Sequence, residues 1–244
     1  SGGSFLNCNA NSKIVLNSKF KNIHHFPACG DDGTSVGSAL YVAHHILNEP
    51  RHSYQPKDIC YTGRDYDCEE PDYKFIANEI SKGKIIGWFQ ERSEFGPRAL
   101  GNRSILADPR NYHNRELINN VIKNREWFRP FAPVVLEEHF KYWFDFPISS
   151  PFMLYTAPVI QPDKVPAITH IDGSARFQTI NQETNSHYYN LVKEFYEITG
   201  VPILLNTSLN GNGEPILETE EDAISFYKNS NLDLMVINGR LINN

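Results

Sequence analysis

Seven of the cationic side chains between residues 92 and 129, namely Arg92, Arg98, Arg103, Arg110, Lys123, Arg125 and Arg129, stand out in a 244-residue sequence whose formal net charge is −6. They are interleaved with Gly96-Pro97, Gly101, Trp127-Phe128 and Pro130-Phe131, residues that fix backbone shape, and they form no helical stripe. Guanidinium groups bind phosphate and carboxylate through paired, forked hydrogen bonds, and an ammonium adds a compact point charge. One reading is a pocket for a highly phosphorylated small molecule. The other is a set of solvated charges on two loops, the ordinary fate of Arg and Lys. There is no Gly-x-x-x-x-Gly-Lys-Ser/Thr loop and no dinucleotide fingerprint, so any bound nucleotide must have its phosphates neutralised by side chains. Ser104 and Ser208 have no paired histidine in motif context, which disfavours covalent catalysis.

Other chemistry-bearing residues are less specific. Asp31-Asp32 is a carboxylate pair on a loop flanked by Gly30 and Gly33, suited either to a cation or to a helix cap. His24-His25 and His44-His45 read as surface pairs, because adjacent histidines point in different directions. Cys8, Cys29, Cys60 and Cys68 show no Cys-x-x-Cys spacing, so neither a structural zinc nor a disulfide scaffold is expected. Arg103 or Arg110 can be read as partners of Asp108 or Glu94, and Asn206-Thr207-Ser208 as a plain turn. Trp88, Trp127 and Phe131 read as core in preference to base-stacking residues.

The elements that must position these groups follow from periodicity. Helices are expected at 35–47, 73–81, 112–124, 137–144, 187–199 and 218–229, from apolar residues at helical spacing. Strands are expected at 84–89, 104–107, 134–136, 203–205 and 234–237, with a further short strand at 22–27. Residues 169–180 read as a hairpin turning at Asp172-Gly173, and 147–166 as an extended, proline-rich cover. Alternating strands and helices predict an α/β domain with a mixed sheet. With 40% hydrophobic and 21% charged residues, the chain has the composition of a globular protein with a sizeable core. Its acidity disfavours nucleic acid as a partner. No run of eighteen apolar residues spans a membrane and no leader-like pattern opens the sequence; four cysteines that make no disulfide scaffold lead to the expectation of a reducing cytoplasm.

Four segments carry a resemblance: 94–110 (Glu-Phe-Gly-Pro-Arg-Ala-Leu-Gly-Asn-Arg-Ser-Ile-Leu-Ala-Asp-Pro-Arg), 123–133 (Lys-Asn-Arg-Glu-Trp-Phe-Arg-Pro-Phe-Ala-Pro), 172–179 (Asp-Gly-Ser-Ala-Arg-Phe-Gln-Thr) and 202–210 (Pro-Ile-Leu-Leu-Asn-Thr-Ser-Leu-Asn). In this order they resemble the O-carbamoyltransferases, the group that includes the nodulation-factor and tobramycin enzymes. The resemblance implies a YrdC-like twisted mixed sheet with flanking helices over 73–244, a linker at 51–72, and at 1–50 the end of an actin-like domain whose larger part lies upstream. It further implies binding of ATP with Mg²⁺ and of carbamoyl phosphate, formation of carbamoyl-adenylate, and transfer to a hydroxyl of a small-molecule acceptor by the actin-like domain. Carried over residue by residue, it makes Lys123, Arg129 and Arg98 catalytic. Arg176, Ser208 and Asn206 become binding residues, with Asn102, Arg103 and Ser104 as second choices. Asp31 becomes one ligand of an iron-type divalent metal whose other ligands the sequence lacks. The alternative is a YrdC-like module that binds RNA or nucleotide without catalysis of its own.

Overall fold

The computed structural model describes residues 2–242. The chain opens with a 3₁₀ turn, Gly3–Leu6, and helix α1, Cys8–Asn17, capped by the Asn7 side chain. Helix α2, Gly33–Tyr41, runs on through a π turn at Val42–Ile46, and a short α3 spans Pro56–Cys60. Helix α4, Tyr73–Ser81, begins at the side-chain cap of Asp72. It leads into β1, Ile86–Phe89, and across a long loop to β2, Arg103–Ala107. Helix α5, Tyr112–Leu117, continues as a π turn over Ile118–Ile122 before β3, Ala132–Leu136. Strands β4, Tyr155–Pro158, and β5, Ser174–Ile180, precede α6, Ser186–Thr199. The chain finishes with β6, Ile203–Ser208, α7, Glu220–Asn229, β7, Leu234–Ile237, and β8, Arg240–Ile242.

All eight strands join one mixed sheet in the order β4-β5-β3-β6-β2-β1-β7-β8. Only β3–β5 and β1–β7 pair in parallel. Every residue of β1, β2 and β3 is buried, which is why β1 and β3 read as unbroken apolar runs rather than alternating ones, while β2 buries Arg103 and Ser104 ahead of its apolar half. Helices α4 and α6 pack together, and Ile76, Ile80, Leu191, Val192 and Phe195 from these two helices enter the same core as Trp88, Ile105 and Leu204 from the sheet. Phe177 of β5 stacks on Phe144 with ring centroids 4.8 Å apart. The mixed α/β sheet with flanking helices is the architecture expected.

The structure also corrects several local expectations. Residues 22–27 form no strand. Residues 51–72 are stitched to the domain: Cys60 is buried, Tyr61 bridges to Glu94 and donates to the Leu100 carbonyl, and Glu69 N–H donates to Asn238. Pairing of this kind between segments far apart in sequence leaves no local periodicity to read. The expected hairpin at 169–180 keeps its turn, with Gly173 N–H on the His170 carbonyl. The antiparallel partner of β5 is β4, which lies inside the proline-rich segment. Trp127 is 58% exposed, unlike the buried Trp88 and Phe131. Helix α2 forms, but Leu40 and Tyr41 face outward. His25 is wedged between the rings of Phe5 and Tyr155. Arg110 does pair with Asp108, at 2.6 Å. Among the described residues no helix is long and apolar enough to cross a membrane.

Candidate functional site

The loop from β1 to β2 is folded around one carboxylate. Glu94 Oε1 accepts the backbone N–H groups of Leu100, Asn102 and Arg103 at 2.7, 2.7 and 3.2 Å. Two glycines bracket the turn that results. Gly96 (φ +123°) lies so close to Pro27 and Ala28 that an added Cβ would stand 2.9 Å from the Pro27 carbonyl, and at Gly101 (φ +116°) it would meet the Tyr188 ring at 2.0 Å. Both need the left-handed backbone and the absent side chain. Between these pivots the chain presents Arg98.

Arg98 meets three other segments at a cavity of about 150 Å³. Arg176 comes from β5, Asn206, Thr207 and Ser208 from the end of β6, and Arg125 from the segment after α5, and no carboxylate lines the space. The Nε groups of Arg98 and Arg176 are buried and have no hydrogen-bond partner. Burial, and then the neighbouring charge of Arg98, pull the Arg176 guanidinium down to about 10. Arg125 is lowered by burial and then by Arg129. It is aimed by Asn119, whose Oδ1 accepts from Arg125 Nε at 2.7 Å, and its guanidinium lies 4.9 Å from the Phe131 ring centre. Crowded like charges with unpaired donors are what an anion relieves.

Lys123 sits directly behind this wall. It is 3% exposed, and its Nζ donates to the carbonyls of Ser208 and Asn210 and to Asn210 Oδ1. Burial, with the charge of Arg125 added, brings it down to about 7. A second cavity of about 320 Å³ shares Arg176, Pro130 and Phe131 with the first and opens towards Cys8, Asp172 and His170. His170 is lowered by burial, with Arg176 and Arg115 opposing its protonation and Asp172 favouring it.

Of the residues expected from sequence, the cavity brings together Arg98, Arg176, Asn206 and Ser208, with Lys123 against its wall. Arg129 stays outside: its side chain is exposed and pairs with Glu126 at 2.8 Å. Arg103 is fully buried elsewhere, its guanidinium 3.5 Å from the Phe89 ring centre and bonded to the carbonyls of Gln90, Asn102 and Glu91. Ser104 is buried within β2. Asn102 holds Asn185 at 2.7 Å and faces a larger cavity of about 600 Å³, where Asp58, Asp65, Glu91 and Glu183 outnumber Lys57 and Arg92. That balance does not suit a polyphosphate. Arg125 and Asn210 were not singled out as site residues, although each lies two residues beyond a chosen one. Nothing local separates Arg125, which turns inward, from Arg129, which does not.

The metal fits less well than the anion. Asp31 is exposed, and among the described residues no three His, Cys, Asp or Glu side chains come together to hold an ion. The described residues therefore do not by themselves make a metal centre, and no chemical step is assigned to one. Asp31 instead closes the turn before α2, its carbonyl accepting from the Thr34 hydroxyl and N–H.

Residues 77–244 match the family described as Carbamoyltransferase C-terminus, and residues 1–40 match Carbamoyltransferase N-terminus. Nodulation protein NolNO of Sinorhizobium fredii is 40% identical over 99% of this chain and 39% of its own length. Nodulation protein NolO of Bradyrhizobium diazoefficiens is 39% identical over 99% of this chain and 48% of its own. The 3'-hydroxymethylcephem-O-carbamoyltransferase of Amycolatopsis lactamdurans is 32% identical over 97% and 47%. The chain thus spans half or less of the length of these relatives. In fold it is similar to full-length HypF, solved in a phosphate- and nucleotide-bound form, with a TM-score of 0.50 and 18% identity over 71% of this chain and 26% of that one.

Proposed function

The chain belongs to the carbamoyltransferase family, and from that premise we propose that residues 73–244 form a YrdC-like unit that activates carbamoyl phosphate with ATP and Mg²⁺ for transfer to the hydroxyl of a small-molecule acceptor. The observation that carries this reading is the acid-free cavity in which Arg98, Arg125 and Arg176 converge, the Nε donors of Arg98 and Arg176 buried and unpaired. In the proposed sequence, water cleaves carbamoyl phosphate to carbamate and phosphate. A carbamate oxygen then attacks the α-phosphorus of ATP, forming carbamoyl-adenylate and expelling pyrophosphate. The second step brings two anions together, and both act on a charged phosphate, so their main requirement is alignment and neutralisation of charge. The inner cavity, at about 150 Å³, suits a small phosphate ester better than a nucleotide. In this reading the nucleotide takes the adjoining cavity of about 320 Å³, with Arg176 common to both. Lys123 holds the β6 end in position through Ser208 and Asn210. The acceptor hydroxyl, and transfer by an actin-like domain to which residues 1–50 contribute, belong to the same proposal, as does a cytoplasmic setting.

The test is pyrophosphate release and ATP–pyrophosphate exchange that depend on carbamoyl phosphate. Exchange is expected in the full-length protein and lost in Arg98→Ala and Arg176→Ala variants that melt at the same temperature as the parent. Undiminished exchange in both variants would overturn the assignment.

A further inference from the structure

The backbone on either side of Arg98 is fixed to the rest of the molecule. On the N-terminal side, Glu94 bridges to Tyr61 and the Phe95 N–H donates to the Cys60 carbonyl at 2.7 Å. On the C-terminal side, the Ala99 carbonyl accepts from Asn206 Nδ2 at 3.0 Å. The Leu100 carbonyl accepts from the Tyr61 hydroxyl at 3.0 Å and from Gln178 Nε2 at 2.9 Å. Only Gly96, Pro97 and Arg98 lie between these anchors. The Pro97 ring locks its own φ, and Gly96 is pressed against Pro27 and Ala28.

Glu94 is what ties the entry of this loop to its exit. Its backbone belongs to the first anchor, while its Oε1 gathers the N–H groups of Leu100, Asn102 and Arg103, six, eight and nine residues further on. A carboxylate oxygen holds such donors more strongly than a neutral acceptor does. Glu94 Oε2 is buried without a hydrogen-bond partner, so the whole grip runs through one oxygen. Glu94 does not line the cavity at which Arg98 stands.

We infer that Glu94 is the positioning residue for Arg98, holding the loop in its binding shape before a ligand arrives and thereby setting how tightly the cavity takes an anion. This rests on the anion site of the proposed function. Two physical effects make the hold matter. A loose loop would have to be ordered at the moment of binding, and the entropy lost would come out of the affinity. Arg98 and Arg176 are also like charges in close proximity, so a loop free to move would let Arg98 retreat from its neighbour and empty the site of one cation.

The experiment is calorimetric titration of the full-length protein with inorganic phosphate, comparing the parent, Glu94→Gln, Arg98→Ala and the double variant at a temperature where all are folded. Glutamine keeps the shape and an acceptor at the Oε1 position, and its amide nitrogen replaces an oxygen that has no partner, so mainly the charge is withdrawn. Glu94→Gln is expected to bind phosphate about 10-fold more weakly than the parent, on the order of one charge-assisted bond weakened to a neutral one. In the Arg98→Ala background the same substitution should change affinity by about twofold or less, because Glu94 then has no guanidinium to place. A contribution of Glu94 to folding alone would leave phosphate affinity unmoved in the folded protein. Parental affinity in Glu94→Gln, or an equal loss in both backgrounds, overturns the inference and leaves the anion site standing. Failure of phosphate to bind the parent overturns the proposed function and the inference with it. Should a variant not fold, or Arg98→Ala bind too weakly to titrate, hydrogen exchange in the parent decides. The amides of Leu100, Asn102 and Arg103 are expected to be protected without phosphate, and protection that appears only once phosphate is added overturns the inference.

Discussion

Arg98 in the β1–β2 loop and Arg103 at the start of β2 stand five residues apart, and the fold uses them in opposite ways. Arg103 is buried and caged, its NH1 and NH2 groups spent on carbonyls and its face against Phe89, with its Nε alone left over. Arg98 stands at a cavity with a buried donor that nothing in the protein satisfies. The carbonyl cage lowers the cost of burying Arg103, so that side chain works for the fold. Arg98 and Arg176 lie against each other without a counter-charge, an arrangement that costs stability until an anion arrives. Each has a buried Nε without a partner. What separates the cation that holds the chain from the cation that holds a ligand is a cage of carbonyls on the terminal nitrogens in one and a cavity beside like charges in the other.

The strongest way to break this contrast is Arg103→Met. Three carbonyls would lose their donor in the interior, and the expected loss is about 3 kcal/mol or more, read as a shifted urea midpoint. A variant as stable as the parent would show that the carbonyl cage does not support the fold. Arg176→Ala should do the reverse. Binding of inorganic phosphate falls about 30- to 100-fold, one charge-assisted bond lost, while the melting temperature holds or rises because Arg98 and Arg125 lose a like-charged neighbour.

Lys123 sharpens the comparison, since it is both saturated and adjacent to the cavity. Its folded-state value of about 7 lies below the ordinary lysine value of 10.5. Between those limits the unfolded chain binds more protons than the folded one, so its contribution makes stability rise with pH from about 7 to 10.5 and fall as pH drops through 7. Denaturant midpoints across that window should show a slope that Lys123→Met removes. Phosphate in the cavity should favour the ammonium and shift the window upward. The smallest effect is expected from Arg129→Ala, whose exposed pair with Glu126 contributes little. Its melting temperature should match the parent's, and phosphate affinity should change less than threefold, on the order of a screened surface charge. A loss as large as that of Arg176→Ala would bring Arg129 into the site.

Much of the fold was legible because its core strands are apolar on both faces. Ile86–Phe89, Leu234–Ile237 and the start of β6 read directly as buried strands, and α4 and α6 as amphipathic helices. The edge was not legible. Strand β4 hides among prolines, with Pro158 as its last residue, and only the pairing with β5 makes it a strand. The segment 51–72 looked structureless for the same reason: Tyr61 and Glu69 are held by residues far along the chain. In the site, the cations were visible in sequence but their division of labour was not.

What the sequence settled alone was the inventory: guanidinium groups in three of the four motifs, glycines to bend the loop that bears Arg98, and no glycine cradle to bind phosphate in their place. The tertiary structure alone decided which of those groups remain unsatisfied. A hydrogen bond is a relation between residues distant in the chain, as when Leu100 orients Gln178, Gln178 faces Asn206, and one amide oxygen is left without a donor. No property of Asn206, Arg98 or Arg103 taken singly contains that result.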